Sequence, residues 1–433
     1  MLRNDPETQA ALDDWTFPGR SVGLTRRRFL QLSAMAGAGA AMASPLLSHL
    51  EAYAAPPLGS HDPILVLVML AGGNDGLNMV VPIQDSNYLQ LRPTIGLTSS
   101  QTLNISPSVG LHPSFTNLKA RYDNGQVAII RGVGYNPPDF SHFTSMGYWM
   151  NAWGGSAQTA PNGWVGRYID NFPNAATESL YSVVLGSNGV PLHMVGAQSR
   201  AAALPLSVSG KFGISRSNQD DQRMYDGVSS FASTASSGLG KWGDMVADGN
   251  ANLMRLTRRL ATAYPAQAAP DYFVRQMQLV ANLVNKNLGT RVFSVELDGF
   301  DTHTDELVQH SSLFTSLDNG IEMLFSTLNP TWADNVIVVT FSEFGRRPQE
   351  DVDAGTDHGT SAPHFVVGPR VRGGLYGQQP GLANNQLVNY GNLAAPVDFR
   401  SVFATVLQKW MKADDAEVLG KTYPQLGFIG STP

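Results

Sequence analysis

At 433 residues the chain can bury a substantial core as one large domain or two ordinary ones, and 42% hydrophobic against 15% charged residues excludes a disordered chain. A net charge of −6 gives no electrostatic footing for nucleic acid. There is no cysteine, which removes disulfides, thiolate metal ligands and a cysteine nucleophile together.

The first element in chain order is a targeting segment. Thr25-Arg26-Arg27-Arg28-Phe29-Leu30 precedes an alanine- and glycine-rich apolar stretch to about Leu47, and Ala52-Tyr53-Ala54 follows as a small-x-small cleavage site. This order is that of a twin-arginine export signal over residues 1–54, handled by the twin-arginine translocase, so a periplasmic or secreted protein is expected. Beyond it, residues 55–433 read as a single domain with no run of ~18 apolar residues that would span a membrane.

Six apolar runs then recur: Ile64–Leu70, Gln126–Gly134, Ser182–Gly186, Arg291–Leu297, Asn335–Phe341 and His364–Pro369. Their Val/Ile/Leu content without alternation suits parallel strands covered on both faces. Helical patterns lie between them, clearest over Asp271–Leu288 and Ser311–Leu328. The alternation predicts a three-layer α/β/α sandwich around a mostly parallel sheet. Residues 201–240 change to Ser, Gly, Ala and Asn, an insertion over the sheet edge or a plain solvated loop. Pro396–Lys412 reads as a closing helix with Asp398 near its start.

In open parallel sheets ligands bind beyond the carboxyl ends of the strands, so the residues after each run carry the chemistry. These are Asp75 in GGNDG, Ser141 and His142 in YNPPDFSHF, Asp301 and His303 in GFDTH, Glu343 and Arg346 in SEFGRR, and His358 in TDHGT. In an extended segment the two-residue spacing of Asp301 and His303 turns both side chains to one side, where they could chelate an ion or simply bond within the loop. Mixed oxygen and imidazole donors suit Zn²⁺ or Mn²⁺, with Mg²⁺ or Ca²⁺ where oxygens dominate. Ser141 sits where a helix begins, as an ordinary cap or as a nucleophile beside the helix N-terminus. His142 is open between ligand, base and core residue. Arg346 is either a solvated residue or an anion clamp.

The twin-arginine start, LVLVMLAGGNDGLNMVVP, GVGYNPPDFSHFTSM, GFDTH, VVTFSEFGRR and TDHGT together resemble the bacterial domain-of-unknown-function family numbered fifteen hundred and one. That family is similar in layout to the alkaline phosphatase–sulfatase superfamily. The resemblance implies an alkaline phosphatase-like fold and one or two divalent ions held by Asp75, Asp301, His303, Glu343 and His358. It implies Ser141 as nucleophile and Arg346 as a stabiliser of substrate charge. Two departures stand out: Ser342-Glu343 replaces the usual strand-end Asp-His, and the Asp/His spacing is short. The expected function is an exported metal-dependent hydrolase acting on phosphate or related esters, of small-molecule or polymer substrates. The alternative is a catalytically inert binding protein on the same scaffold.

Overall fold

The structure, a computed structural model, describes residues 56–155, 162–176, 178–186, 189–206, 223 and 260–430. The export segment at 1–54 and most of the stretch 201–240 lie outside the described residues.

All six apolar runs form strands. In chain order the strands are β1 (Ile64–Ala71), β2 (Val80–Val81), β3 (Leu103–Ser106), β4 (Val109–Leu111) and β5 (Val127–Gly134). There follow β6 (Ser182–Leu185), β7 (Ala202–Leu204), β8 (Val292–Asp298), β9 (Val336–Phe341) and β10 (Arg346–Glu350). The last four are β11 (Thr356–His358), β12 (Ala362–Val367), β13 (Gly374–Gly377) and β14 (Val397–Asp398). The main sheet runs β13-β5-β12-β9-β1-β8-β6-β7, with β14 also on β5. Every pairing in it is parallel except those of β12, which lies antiparallel between β5 and β9. The mostly parallel sheet is as expected. The one reversed strand is reached from the β10–β11 ribbon, whose turn sends the chain back into the sheet.

Adjacent residues of β12 show the two covered faces. Phe365 meets Phe115 of the helical layer formed by Thr116–Asp123, Tyr272–Asn285 and Glu306–Thr327. His364 meets Trp149 on the other side, where His142–Asn151 packs with Phe399 and Phe403. Two-sided cover explains why β9 and β12 are buried at every position. The Asp271 carboxylate caps its helix through Val274 N at 2.8 Å, and Asp398 caps Phe399–Thr405 through Arg400 N at 2.9 Å. The helix expected from Ser311 begins at Glu306, which brings Glu306 and His310 into the interior.

His193 and His364 are both buried in the core, and burial pushes each imidazole down to about 3. Their unfolded value is about 6.5, so folding is favoured by neutral rings above that pH and loses about 1.4 kcal/mol per histidine for each unit below it, until the folded value is reached. His364→Leu should therefore flatten the fall in stability between pH 6.5 and 5. Urea midpoints at those pH values check it, and an unchanged slope would show that His364 accepts a proton in place.

Candidate metal centre

The carboxyl ends of β1, β5, β8 and β9 share one edge of the sheet, and the expected residues gather there. Close backbone approach makes the gathering possible. A Cβ at Gly72 would lie 2.3 Å from Asp301 N, and one at Gly73 would lie 2.3 Å from the Phe344 ring; both glycines have positive φ. In the β10–β11 ribbon Arg346 stands opposite His358, so one hairpin delivers both.

Four side chains form the cluster: His142, Asp301, His303 and His358. His358 Nε2 lies 3.1 Å from His142 Nε2, 3.3 Å from His303 Nε2 and 3.0 Å from Asp301 Oδ1. Asp301 Oδ1 is 3.0 Å from His303 Nε2, and Oδ2 is 3.4 Å from His142 Nε2. The outer partners set the tautomers. His142 Nδ1 donates to Glu343 Oε1 at 2.8 Å, and His358 Nδ1 donates to Phe140 O at 2.8 Å. Each neutral ring is then left with an unprotonated Nε2, and these two lone pairs face each other. Arg346 Nη1 approaches His303 Nε2 at 3.4 Å, which calls for an acceptor there too.

Acceptors so close repel unless a cation sits among them. Ligands around a tetrahedral ion of zinc size, bonded at 2.0–2.1 Å, are about 3.3 Å apart, close to the 3.0–3.4 Å between neighbouring members here. The outer carboxylate and carbonyl on the far ring nitrogens are the usual supports of metal-bound histidines. His142, Asp301 and His358 therefore fit as a group around one divalent ion, with His303 beside Asp301 and His358 as the further donor.

Glu343 takes an outer place. It is buried, and its Oε1 also accepts Gly72 N at 2.9 Å while Oε2 accepts Ser342 Oγ at 3.2 Å. Arg346 is buried too, and its donors are occupied by the carbonyls of Gly72, Gly73, Phe300 and Thr356 and by Asp301 Oδ1 at 2.6 Å. It presents no vacant edge to a substrate anion in this arrangement; it holds Asp301. Burial alone would raise the Asp301 carboxyl, but the hydrogen bond and the charge of Arg346 outweigh it and hold the group down to about 2. A guanidinium beside the carboxylate also takes up the charge that a second surface ion would need.

Ser141 occupies the N-cap of His142–Asn151, exposed, with no side-chain cap bond and, among the described residues, no hydrogen bond to the cluster. Asp75 lies apart from the cluster in a buried group with Glu306 and His310, bound bidentately by Arg92 at 2.5 and 2.9 Å. His142 is the cluster member that spacing alone could not rank; its signal was its place one residue after Ser141, at a helix start. Glu306 and His310 gave no such signal, because both fall inside an ordinary helical pattern.

No curated protein matches. Among solved structures, a complex of Ps i-CgsB with k-i-k-neocarrahexaose is 11% identical over 83% of this chain and 75% of that one, with a TM-score of 0.39. A Vibrio parahaemolyticus protein in the alkaline phosphatase superfamily is 7% identical over 84% and 71%, at 0.33. The alkaline phosphatase of the Antarctic bacterium TAB5 is 11% identical over 71% and 92%, at 0.32. Scores this low carry no argument about the site, and the α/β architecture rests on the strand order itself. A family model described as a protein of unknown function, DUF1501, matches residues 138–422, which hold four of the five expected ligands together with Ser141 and Arg346, and the chain belongs to that family.

Proposed function

We propose that the protein is a metal-dependent hydrolase of phosphate or related esters, working outside the cytoplasm with one divalent ion at the His142–Asp301–His303–His358 cluster. The observation that carries it is the set of facing Nε2 lone pairs beside a carboxylate, in a cluster open to solvent: Asp301 is 49% and His303 44% exposed at the side chain. A buried structural site has no such opening, whereas catalysis needs one. When bound, the ion supplies Lewis acidity and lowers the pKa of an attacking oxygen.

The chain's own residues supply the rest. His142, His303 and His358 hold their Nε2 atoms inward, and Asp301 is kept ionised by Arg346. Glu343 fixes the His142 ring, and the first-turn amides of His142–Asn151 face an incoming anion. Ser141 stands beside a ligand with its hydroxyl in no cap bond, and we take it as the nucleophile. Ser141→Ala should leave ion content unchanged and cost well under the ~1 kcal/mol of a bonded cap, yet abolish turnover of aryl phosphate mono- and diesters. Turnover retained in that variant would assign the attack to water. No turnover of phosphate or sulfate esters by ion-loaded wild type would remove the hydrolase reading itself.

Location outside the cytoplasm rests on Arg26-Arg27 and the stretch after them. Fractionation of cells expressing a variant with lysine at both positions tests it, with retention in the cytoplasm expected.

A further inference from the structure

A second group of ligand-type atoms lies beneath the surface cluster. Asp75, Glu306 and His310 are each at most 1% exposed, and one ligand atom from each lies within 4.8 Å of the others. No donor reaches two of these atoms, Glu306 Oε1 and His310 Nδ1, which are 4.0 Å apart, and the Glu306 and Asp75 carboxyl groups lie within hydrogen-bond reach of each other. A buried acceptor without a donor costs about 1–3 kcal/mol, more when charged, so a pair of them in contact requires a cause.

Their neighbours define what they can accept. Glu306 Oε2 takes the hydroxyls of Thr356 at 2.5 Å and Thr302 at 3.2 Å. With its proton on Glu306, the Thr302 oxygen must accept from His310 Nε2 at 2.9 Å. His310 Nδ1 is therefore a bare lone pair, turned toward the side on which Glu306 Oε1 is also bare. Arg92 does not relieve them: it is bonded to Asp75, Asn78 Oδ1 and the carbonyls of Arg347 and Pro348. With Glu306 ionised, the pocket holds two carboxylates against one guanidinium and is one positive charge short.

A proton on Glu306 Oε1 would supply that charge but leave His310 Nδ1 without a partner. A single ion satisfies both. The 4.0 Å separation is less than twice a ~2.2 Å ligand distance, so one ion reaches both atoms. Asp75 stands next to it chiefly as counter-charge, since each of its oxygens already accepts two hydrogen bonds, from Arg92 and from Leu77 N or Asn78 N.

We propose that Glu306 and His310, backed by Asp75, bind a buried divalent cation of the manganese–zinc class, the class suited to a mixed carboxylate and imidazole set. Its place gives it a structural role. Thr302 lies between Asp301 and His303, and Thr356 lies two residues before His358. Both hydroxyls end on Glu306 Oε2, so the ion anchors from behind the two loops that carry the surface ligands. Nothing in this depends on the hydrolase reading.

Anomalous diffraction from wild-type crystals grown with Mn²⁺ tests it without any substitution. A peak within ligand distance of Glu306 Oε1 and His310 Nδ1, separate from any at the surface cluster, is expected. A water or no density there, in crystals of the same protein, overturns the proposal. Elemental analysis of Glu306→Gln gives a second readout: it should hold one ion fewer per chain than wild type and unfold at a lower temperature. Glutamine copies a protonated glutamate, so unchanged ion content and stability in that variant would mean that a proton occupies the place assigned to the cation.

Discussion

Replacing His142 with alanine should cut ester turnover by well over 100-fold and weaken ion binding at the surface cluster, because it removes an Nε2 that sits 3.1 Å from that of His358. Glu343→Gln should do less, about 10- to 100-fold, as befits loss of a partner that only orients a ligand. The carboxamide oxygen can still accept from His142 Nδ1 and Gly72 N, but it brings no charge to support the ring and no second acceptor for Ser342 Oγ. The comparison separates two roles for the strand-end acid. Equal losses in the two variants, in both turnover and ion affinity, would place Glu343 directly on the ion, as the family resemblance implied.

The largest effect on stability is expected at Arg92. Its ion pair with Asp75 is fully buried on both sides, with contacts at 2.5 and 2.9 Å. Burial opposes an ionised Asp75, yet the charge and hydrogen bonds of Arg92 overcome it and hold the carboxyl down to about 2. Arg92→Met leaves a buried carboxylate without its counter-ion and strips donors from the Arg347 and Pro348 carbonyls. The expected cost is about 3–5 kcal/mol, read from urea unfolding at pH 7. A loss below about 1 kcal/mol would mean that another group, or a proton, takes over the compensation of Asp75. The sign with pH follows: the pair's contribution is complete above the unfolded aspartate value near 4 and declines as pH falls toward 2.

Much of this arrangement was legible in the residues. Unalternating Val/Ile/Leu runs announced strands buried on both faces, and the rule that ligands gather beyond their carboxyl ends pointed to Asp301, His303, Glu343, Arg346 and His358. What it did not resolve was depth. Glu343 and Asp301 look alike in a sequence, but one lies two residues past a central strand and is enclosed, while the other lies three residues past its strand and reaches solvent. Arg346 reads as a solvated residue or an anion clamp; the ribbon's register turns it inward against four carbonyls instead. Asp75 reads as a ligand by position, yet the helix turn that follows it and Arg92, seventeen residues on, claim its oxygens. Glu306 and His310 depend on where a helix starts, and the helix begins five residues before the periodic pattern becomes clear.

Everything proposed for the surface cluster requires that its facing imidazoles and Asp301 hold a divalent ion. The most direct measurement is the X-ray absorption spectrum of zinc-loaded protein in a Glu306→Gln background, which confines the ion to the surface cluster if the inner site is as proposed. A shell of imidazole nitrogens and at least one oxygen at about 2.0–2.1 Å is expected, lost when His358 is also replaced by alanine. A folded protein that dialyses free of zinc, or a shell of oxygens without imidazole scattering, would contradict it.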